Sequence, residues 1–251
     1  LSVSLIAQPR QNDQRTIETK IADLLMKLPP QSSAEQDFLV AELAALGEPA
    51  VTAIAAGLVA PGAGDDVASR YAISGLVKFV ARGADKNLMK NCSQALCKAL
   101  GNVKNDEVKD FLLQELQYVA GEEAVAVVSG YLRSERLCDP AARVLVRIGT
   151  EPAKLALADA LSNAGGKQQV ILVQALGETG YAPAAAKVRA LAATAEPQLK
   201  KTVLRTLAEM GDLSSGSLLA AEAAKAKYSF EATDAAGSYL LFLSRSAENG
   251  N

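Results

Sequence analysis

Histidine is absent from this 251-residue chain, and that absence excludes more than any residue present suggests. Imidazole is the usual general base near neutral pH and the commonest metal ligand. Ser-His-Asp and Cys-His nucleophile systems and histidine-dependent metal sites therefore cannot be assembled from these residues. Among helical-repeat enzymes, the di-iron hydroxylases built on His-Glu pairs are excluded with them. Tryptophan is absent too, and aromatics make up only 4% of the chain. The apolar content is carried by Ala, Leu and Val, which favours slender, close-packed helices over a sheet sandwich. The three cysteines, Cys92, Cys97 and Cys138, are odd in number and lack CxxC spacing, so they give neither a disulfide framework nor a zinc signature. Cys92 and Cys97 fall roughly 140° apart around a helix and read as buried small hydrophobes. Cys138 precedes Asp139 and Pro140 at a helix start, where the dipole would favour a thiolate, although no base adjoins it. Nothing beyond the first residues approaches the ~20-residue apolar run needed to cross a bilayer.

With 49% hydrophobic and 22% charged positions, the chain has enough apolar residues for a sizeable core and is too apolar to be disordered. It is expected to be all-α. Lys and Arg number 26 against 28 Asp and Glu, a formal charge of −2, whereas a nucleic-acid reader normally carries a basic excess. Locally, Lys78, Arg82, Lys86, Lys90, Lys98 and Lys104 face Asp85 alone. That ridge is a nucleic-acid candidate, set against the plainer reading of a solvated helix face.

Internal repetition is the most informative feature. The lines from Leu145, Leu176 and Leu207 share one register, with glycines at Gly149, Gly180 and Gly211. The intervals are 180 − 149 = 31 and 211 − 180 = 31 residues. A helical pattern at such a period signals stacked helix pairs, in which no single unit buries its own apolar face. Earlier units follow the plan with looser spacing. In the first, Leu39, Leu43 and Leu46 form one stripe, the helix stops at Gly47, and Val51, Ile54 and Leu58 continue after Pro49. Glycine supplies a left-handed cap and proline is tolerated in the next first turn. The second unit predicts helices near 66–82 and 85–100, the third turns at Gly121, and the fourth begins at Cys138 with Asp139 as its cap. Glu196-Pro197 opens the sixth. A helix holding Ile17, Ile21, Leu24, Leu25 and Leu28 caps one end, and a closing helix at about 231–246 covers the other.

Three segments are expected: a signal-peptide remnant and leader over 1–11, a solenoid of about six pairs over 12–246, and the start of a linker over 247–251. The apolar opening that stops at Gln8 after the small Ala7 points to export, to the periplasm or cell surface. The Gly-rich loop Pro61 to Asp65 lacks the Lys-Ser/Thr of a phosphate cradle and is a connector.

The D-x-x-x-R steps at Asp66 to Arg70 and Asp139 to Arg143, with the L-x-x-x-G turns at Leu145, Leu176 and Leu207, resemble HEAT repeats of the short bacterial type. That resemblance spans nearly the whole chain and implies a right-handed α-solenoid of antiparallel helix pairs, an armadillo-type superhelix. More narrowly, IADLLMKLPP, SERLCDPAARVLVRIG and AAGSYLLFLSRSAENGN are similar to the N-terminal HEAT-like region of exported bacterial proteins that continue into a 3-keto-disaccharide hydrolase domain. The resemblance implies that catalytic residues lie outside this sequence, and none is carried onto it.

The acidic clusters Asp65-Asp66, Asp106-Glu107 and Glu122-Glu123 sit at helix starts, where acids offset the macrodipole by about 0.3 to 1 kcal/mol. That role outweighs a glycosidase carboxylate pair. Phe38, Phe79, Phe111 and Phe242 fall on apolar stripes, leaving Tyr131, Tyr181 and Tyr228 as candidate surface rings. In the solenoid that the resemblance implies, second helices line the concave side and would offer Lys154, Asp159, Lys187, Arg189, Glu222 and Lys225 to another protein or an adjoining domain. The expected reading is a noncatalytic scaffold without cofactor, metal or membrane span. A segment contributing to a sugar hydrolase or lyase site is the enzymatic alternative.

Overall fold

The computed structural model describes residues 15–83 and 85–248. Among them are fourteen α-helices and no strand. Helix α1 (Ile17–Leu25) is followed by six pairs: α2 (Ser33–Leu46) with α3 (Glu48–Ala56), α4 (Val67–Gly83) with α5 (Lys86–Asn102), α6 (Asp106–Leu116) with α7 (Val125–Ser129), α8 (Cys138–Ile148) with α9 (Glu151–Leu161), α10 (Gly166–Glu178) with α11 (Ala185–Leu191), and α12 (Pro197–Met210) with α13 (Gly216–Lys225). Helix α14 (Ala235–Glu248) follows the last pair. It runs through Ala247 and Glu248, both expected in a linker. The proposed leader over 1–11 and residues 249–251 lie outside the described residues.

Successive first helices, α2, α4, α6, α8, α10, α12 and α14, pack each against the next and form one layer. The second helices form the other layer, with α9, α11 and α13 resting on α10, α12 and α14 of the following step. One apolar core runs unbroken from Ile21 to Phe242. The stack exists because each pair leaves a stripe uncovered until its successor arrives.

Local chemistry sets the boundaries. Ser32 Oγ accepts from Glu35 N, and Glu35 Oε2 accepts from Gln31 N at 2.8 Å, a reciprocal cap at the start of α2. Asp85 and Asn105 cap α5 and α6 by accepting two backbone N–H groups each. Gly149 and Gly211 end α8 and α12 in the left-handed conformation, with φ of 63° and 65°, as their spacing implied. The fourth unit departs from expectation. Its cap residue is Leu137, whose N–H is accepted by Ser134 Oγ, and Asp139 lies inside the first turn, paired with Arg143 at 2.9 Å. A carboxylate one step inside the helix reaches the i+4 guanidinium more readily than its own cap position. Asp66 makes the same pair with Arg70 and also accepts from Val59 N at 3.0 Å, fixing the Gly-rich connector to α4.

No single helix among the described residues is long and apolar enough to cross a membrane; α2 and α3 would pass together but meet at 110°.

Candidate functional site

The solvent face of the first helices carries the most developed grooves. Between α2 and α4 lies one of about 560 Å³, bordered by Asp37, Tyr71, Lys78, Arg82 and Tyr118. Its floor exists because Gly75 has no Cβ: a methyl there would sit 2.9 Å from Val40 Cγ1, so the two helices approach closely only with glycine. Tyr118, which follows α6, also borders a second groove of about 350 Å³ with Asp110, Gln114, Glu115, Asp139 and Arg143. Tyr71 and Tyr118 are 40% and 54% exposed, so two rings stand over one continuous surface.

Glu115 is the unusual group. It is buried to 8% exposure between α4 and α6. Its Oε1 accepts from Ser74 at 2.5 Å, while its buried Oε2 has no hydrogen-bond partner. Burial pushes its carboxyl above the usual range, an effect that the Ser74 hydroxyl and the Lys78 charge reduce. A buried carboxylate oxygen without a donor costs roughly 1–3 kcal/mol or more. It is therefore expected either to hold a proton or to meet a donor from outside. Sequence analysis passed over it, because Glu115 sits beside Leu112, Leu113 and Leu116 on an otherwise apolar helix stripe of the third unit. A lone acid inside that stripe was the available signal.

Each second-helix candidate has a defined place. Lys187 approaches Asp159 at 3.5 Å and donates to Ala158 O at 3.1 Å, joining α11 to α9. Arg189 pairs with Asp212 and donates to Ser215 Oγ at 2.9 Å, joining α11 to the turn before α13. Glu222 is nearly buried between Lys200 and Lys225, each at 2.7 Å. Burial works to raise its carboxyl, but the two ammonium groups prevail and hold it below the usual range. Lys154 is half-buried on α9. Lys187, Asp159 and Arg189 thus join consecutive units, while Glu222 and Lys225 are tied within the last pair.

The remaining candidates divide. Tyr181, expected at the surface, is buried and donates to Glu151 Oε1 at 2.9 Å across the joint to the preceding pair. Tyr131 is half-buried, and Tyr228 is exposed. Phe38, expected on a core stripe, is 59% exposed, because among the described residues α2 is the first helix of its layer and no earlier one covers it. Lys78 and Arg82 belong to one layer and Lys86, Lys90 and Lys98 to the other. Arg82 pairs with Asp37 at 2.7 Å and Lys98 with Glu48. The six cations consequently form no single stripe. Cys138 is buried, and desolvation followed by the adjacent Asp139 charge pushes its thiol to about 11. Cys92 is pushed to about 12 by burial and then by Glu115, so neither is a thiolate at neutral pH. Among the described residues no group of three potential metal-ligating side chains comes together.

No protein-family model matches the chain, and no curated protein matches it. Solved structures similar to it include two that follow most of its length. A crystal structure of an engineered protein shows 17% identity over 76% of this chain and 96% of that chain, with a TM-score of 0.40. Human deoxyhypusine hydroxylase in complex with glycerol shows 17% identity over 91% of this chain and 84% of that chain, with a TM-score of 0.41. Similarity at that level transfers neither chemistry nor partner, and the fold rests on the chain's own helices: an all-α stack of helical pairs.

Proposed function

We propose that this chain is a noncatalytic helical-repeat interaction module, and that it docks a protein partner or an adjoining domain across the first-helix face around Tyr71, Tyr118 and Glu115. The observation that carries the reading is the pair of exposed tyrosines over adjoining grooves whose wall holds a buried carboxylate oxygen lacking a donor. Exposed Tyr supplies contact area at small entropic cost, and an unsatisfied acceptor rewards a partner that brings an N–H or ammonium group. The second-helix charges Lys154, Asp159, Lys187, Arg189, Glu222 and Lys225 form the competing docking face. The resemblance of three sequence segments to exported sugar-hydrolase proteins supports a place as the accessory region of a larger exported carbohydrate-active protein.

A photo-crosslinking amino acid placed at Tyr118, and separately at Leu155 beside Lys154, tests the choice of face in the native host. Adducts from position 118 that vanish with Glu115→Gln are expected. Adducts from position 155 alone would move the docking surface to the second helices. Turnover of a 3-keto-disaccharide by the chain alone would overturn the noncatalytic reading.

A further inference from the structure

Tyr118 stands between two grooves of opposite sign. On the α4 side Lys78 and Arg82 outnumber Asp37. On the α8 side the carboxyls of Asp110, Glu115 and Asp139 face the guanidinium of Arg143. Most groups of this second groove are already engaged. Arg143 Nε donates to Asp139 Oδ2 at 2.9 Å, and Gln114 Nε2 donates to Asp110 Oδ2 at 3.2 Å. The Ser74 hydroxyl occupies Glu115 Oε1. Glu115 Oε2 is left over: the residue is 8% exposed, and that oxygen has no hydrogen-bond partner. An acceptor held away from water without a donor favours any group that supplies one.

The surroundings narrow the choice of donor. Among the described residues no three potential metal ligands come together, so a chelated metal ion does not match the site. A volume of about 350 Å³ lies at the small end of ligand sites and suits a single side chain on its stem. Tyr118, 54% exposed at the border, offers an aromatic face. Helix α6 already receives a cation in that manner, since Arg70 lies over Phe111, one turn before Glu115, at 4.8 Å. Excess carboxyls, an open ring and an acceptor lacking a donor together describe a receptor for an organic cation.

We infer that the docked partner inserts one lysine or arginine side chain into the groove between α6 and α8, its charged end donating to Glu115 and its stem lying along Tyr118. The inference rests on the docking face proposed above and names what the partner brings to it. A long cationic side chain suits this place because its stem covers the ring while its head stays among polar groups. Asp110 and Asp139 at the rim attract it, and the Lys78 and Arg82 groove repels it, so the cation is steered to the α8 side of Tyr118.

The blocked peptides N-acetyl-Gly-Lys-Gly amide and N-acetyl-Gly-Arg-Gly amide are the probes, with citrulline and norleucine counterparts as uncharged controls. NMR of the whole chain, with glutamate carboxyls and tyrosine rings labelled, reads their binding. Either cationic peptide should shift the Glu115 and Tyr118 signals with a Kd on the order of 10 mM. At saturation it should also lower the pH at which the Glu115 carboxyl titrates, a response read directly at that carboxyl although Lys78 and Cys92 face it too. Glu115→Gln should weaken binding at least about fivefold, with helical circular dichroism showing that it folds. Equal shifts from the uncharged controls, an unmoved Glu115 titration, full affinity in Glu115→Gln, or no shift at about 100 mM would each overturn the inference. If position 118 still crosslinks a partner in the host, the docking face then stands without the cation. If position 118 yields no adduct, the face itself fails, whatever the peptides do.

Discussion

Two joints of the same layer are built on opposite principles. Between α10 and α12, Gly177 lies beneath Thr206: a methyl on it would sit 2.8 Å from Thr206 Oγ1 and 3.2 Å from Thr206 Cα. Thr206 Oγ1 is buried and donates to Val173 O at 2.9 Å. The backbones touch, and the polar atoms there are paired. Between α4 and α6 the contact is made through long polar side chains. Arg70 lies over the Phe111 ring at 4.8 Å, Ser74 donates to Glu115, and Lys78 adds its charge. A close-packed joint resists opening because dispersion and burial are lost together. A side-chain joint that contains an unsatisfied acceptor loses less on opening and gains hydration. The strict 31-residue register falls in the close-packed half, and the groove of about 560 Å³ with Tyr71 and Tyr118 at its border falls in the looser one. Regular repetition fixes geometry here, while its departure leaves the wider groove.

The largest expected effect is on the close-packed joint. Gly177→Val forces α10 and α12 apart and should cost about 3 kcal/mol, visible as a lower denaturation midpoint. The corresponding intrusion at Gly75, whose nearest obstacle is the Val40 side chain, should cost clearly less. Thr206→Val removes a buried donor and should cost about 1 kcal/mol, with little change in shape. On the other joint, Glu115→Gln retains an acceptor for Ser74 and removes the buried charge. Because the native carboxyl holds its proton to higher pH than an unfolded one, the native state binds more protons between those two values. Stability of the parent then falls as pH rises through that window. The Gln variant should match the parent below it and exceed it by about 1 kcal/mol above it, which urea melts at acidic and alkaline pH would show. Lys78 and Cys92 are the ionisable groups facing Glu115, and the buried thiol remains protonated across that range. Smallest of all, Tyr118→Ala should change stability by less than about 0.5 kcal/mol while abolishing crosslinks to a partner from a photo-reactive residue placed at position 71.

The helix pattern was legible because Leu, Val and Ala recur at helical spacing and glycine and proline mark the corners. The positions of Gly149, Gly180 and Gly211 sufficed for the register of the last units. What sequence periodicity misjudged were residues whose burial depends on the neighbouring unit. Tyr181 turned inward because Glu151 of the preceding pair offers its hydroxyl an acceptor, and Phe38 is exposed because, among the described residues, no first helix packs over it ahead of α2. Glu115 escaped notice because a helix stripe reveals which face is buried but not whether α4 brings a partner for each group on it. The second-helix charges were found as residues, yet the pairing of Lys187 with Asp159 and of Arg189 with Asp212 across units follows from stacking distances that spacing within one helix does not contain.

Hydrogen exchange resolved to single helices, corrected for intrinsic rate and run on both sides of the Glu115 titration, tests the contrast between the joints most directly. The account expects the facing segments of α4 and α6 to open at lower free energy than those of α10 and α12, with the gap widening as pH rises and closing in Glu115→Gln. Equal protection at both joints, or a pH response shared by α10 and α12, would contradict it.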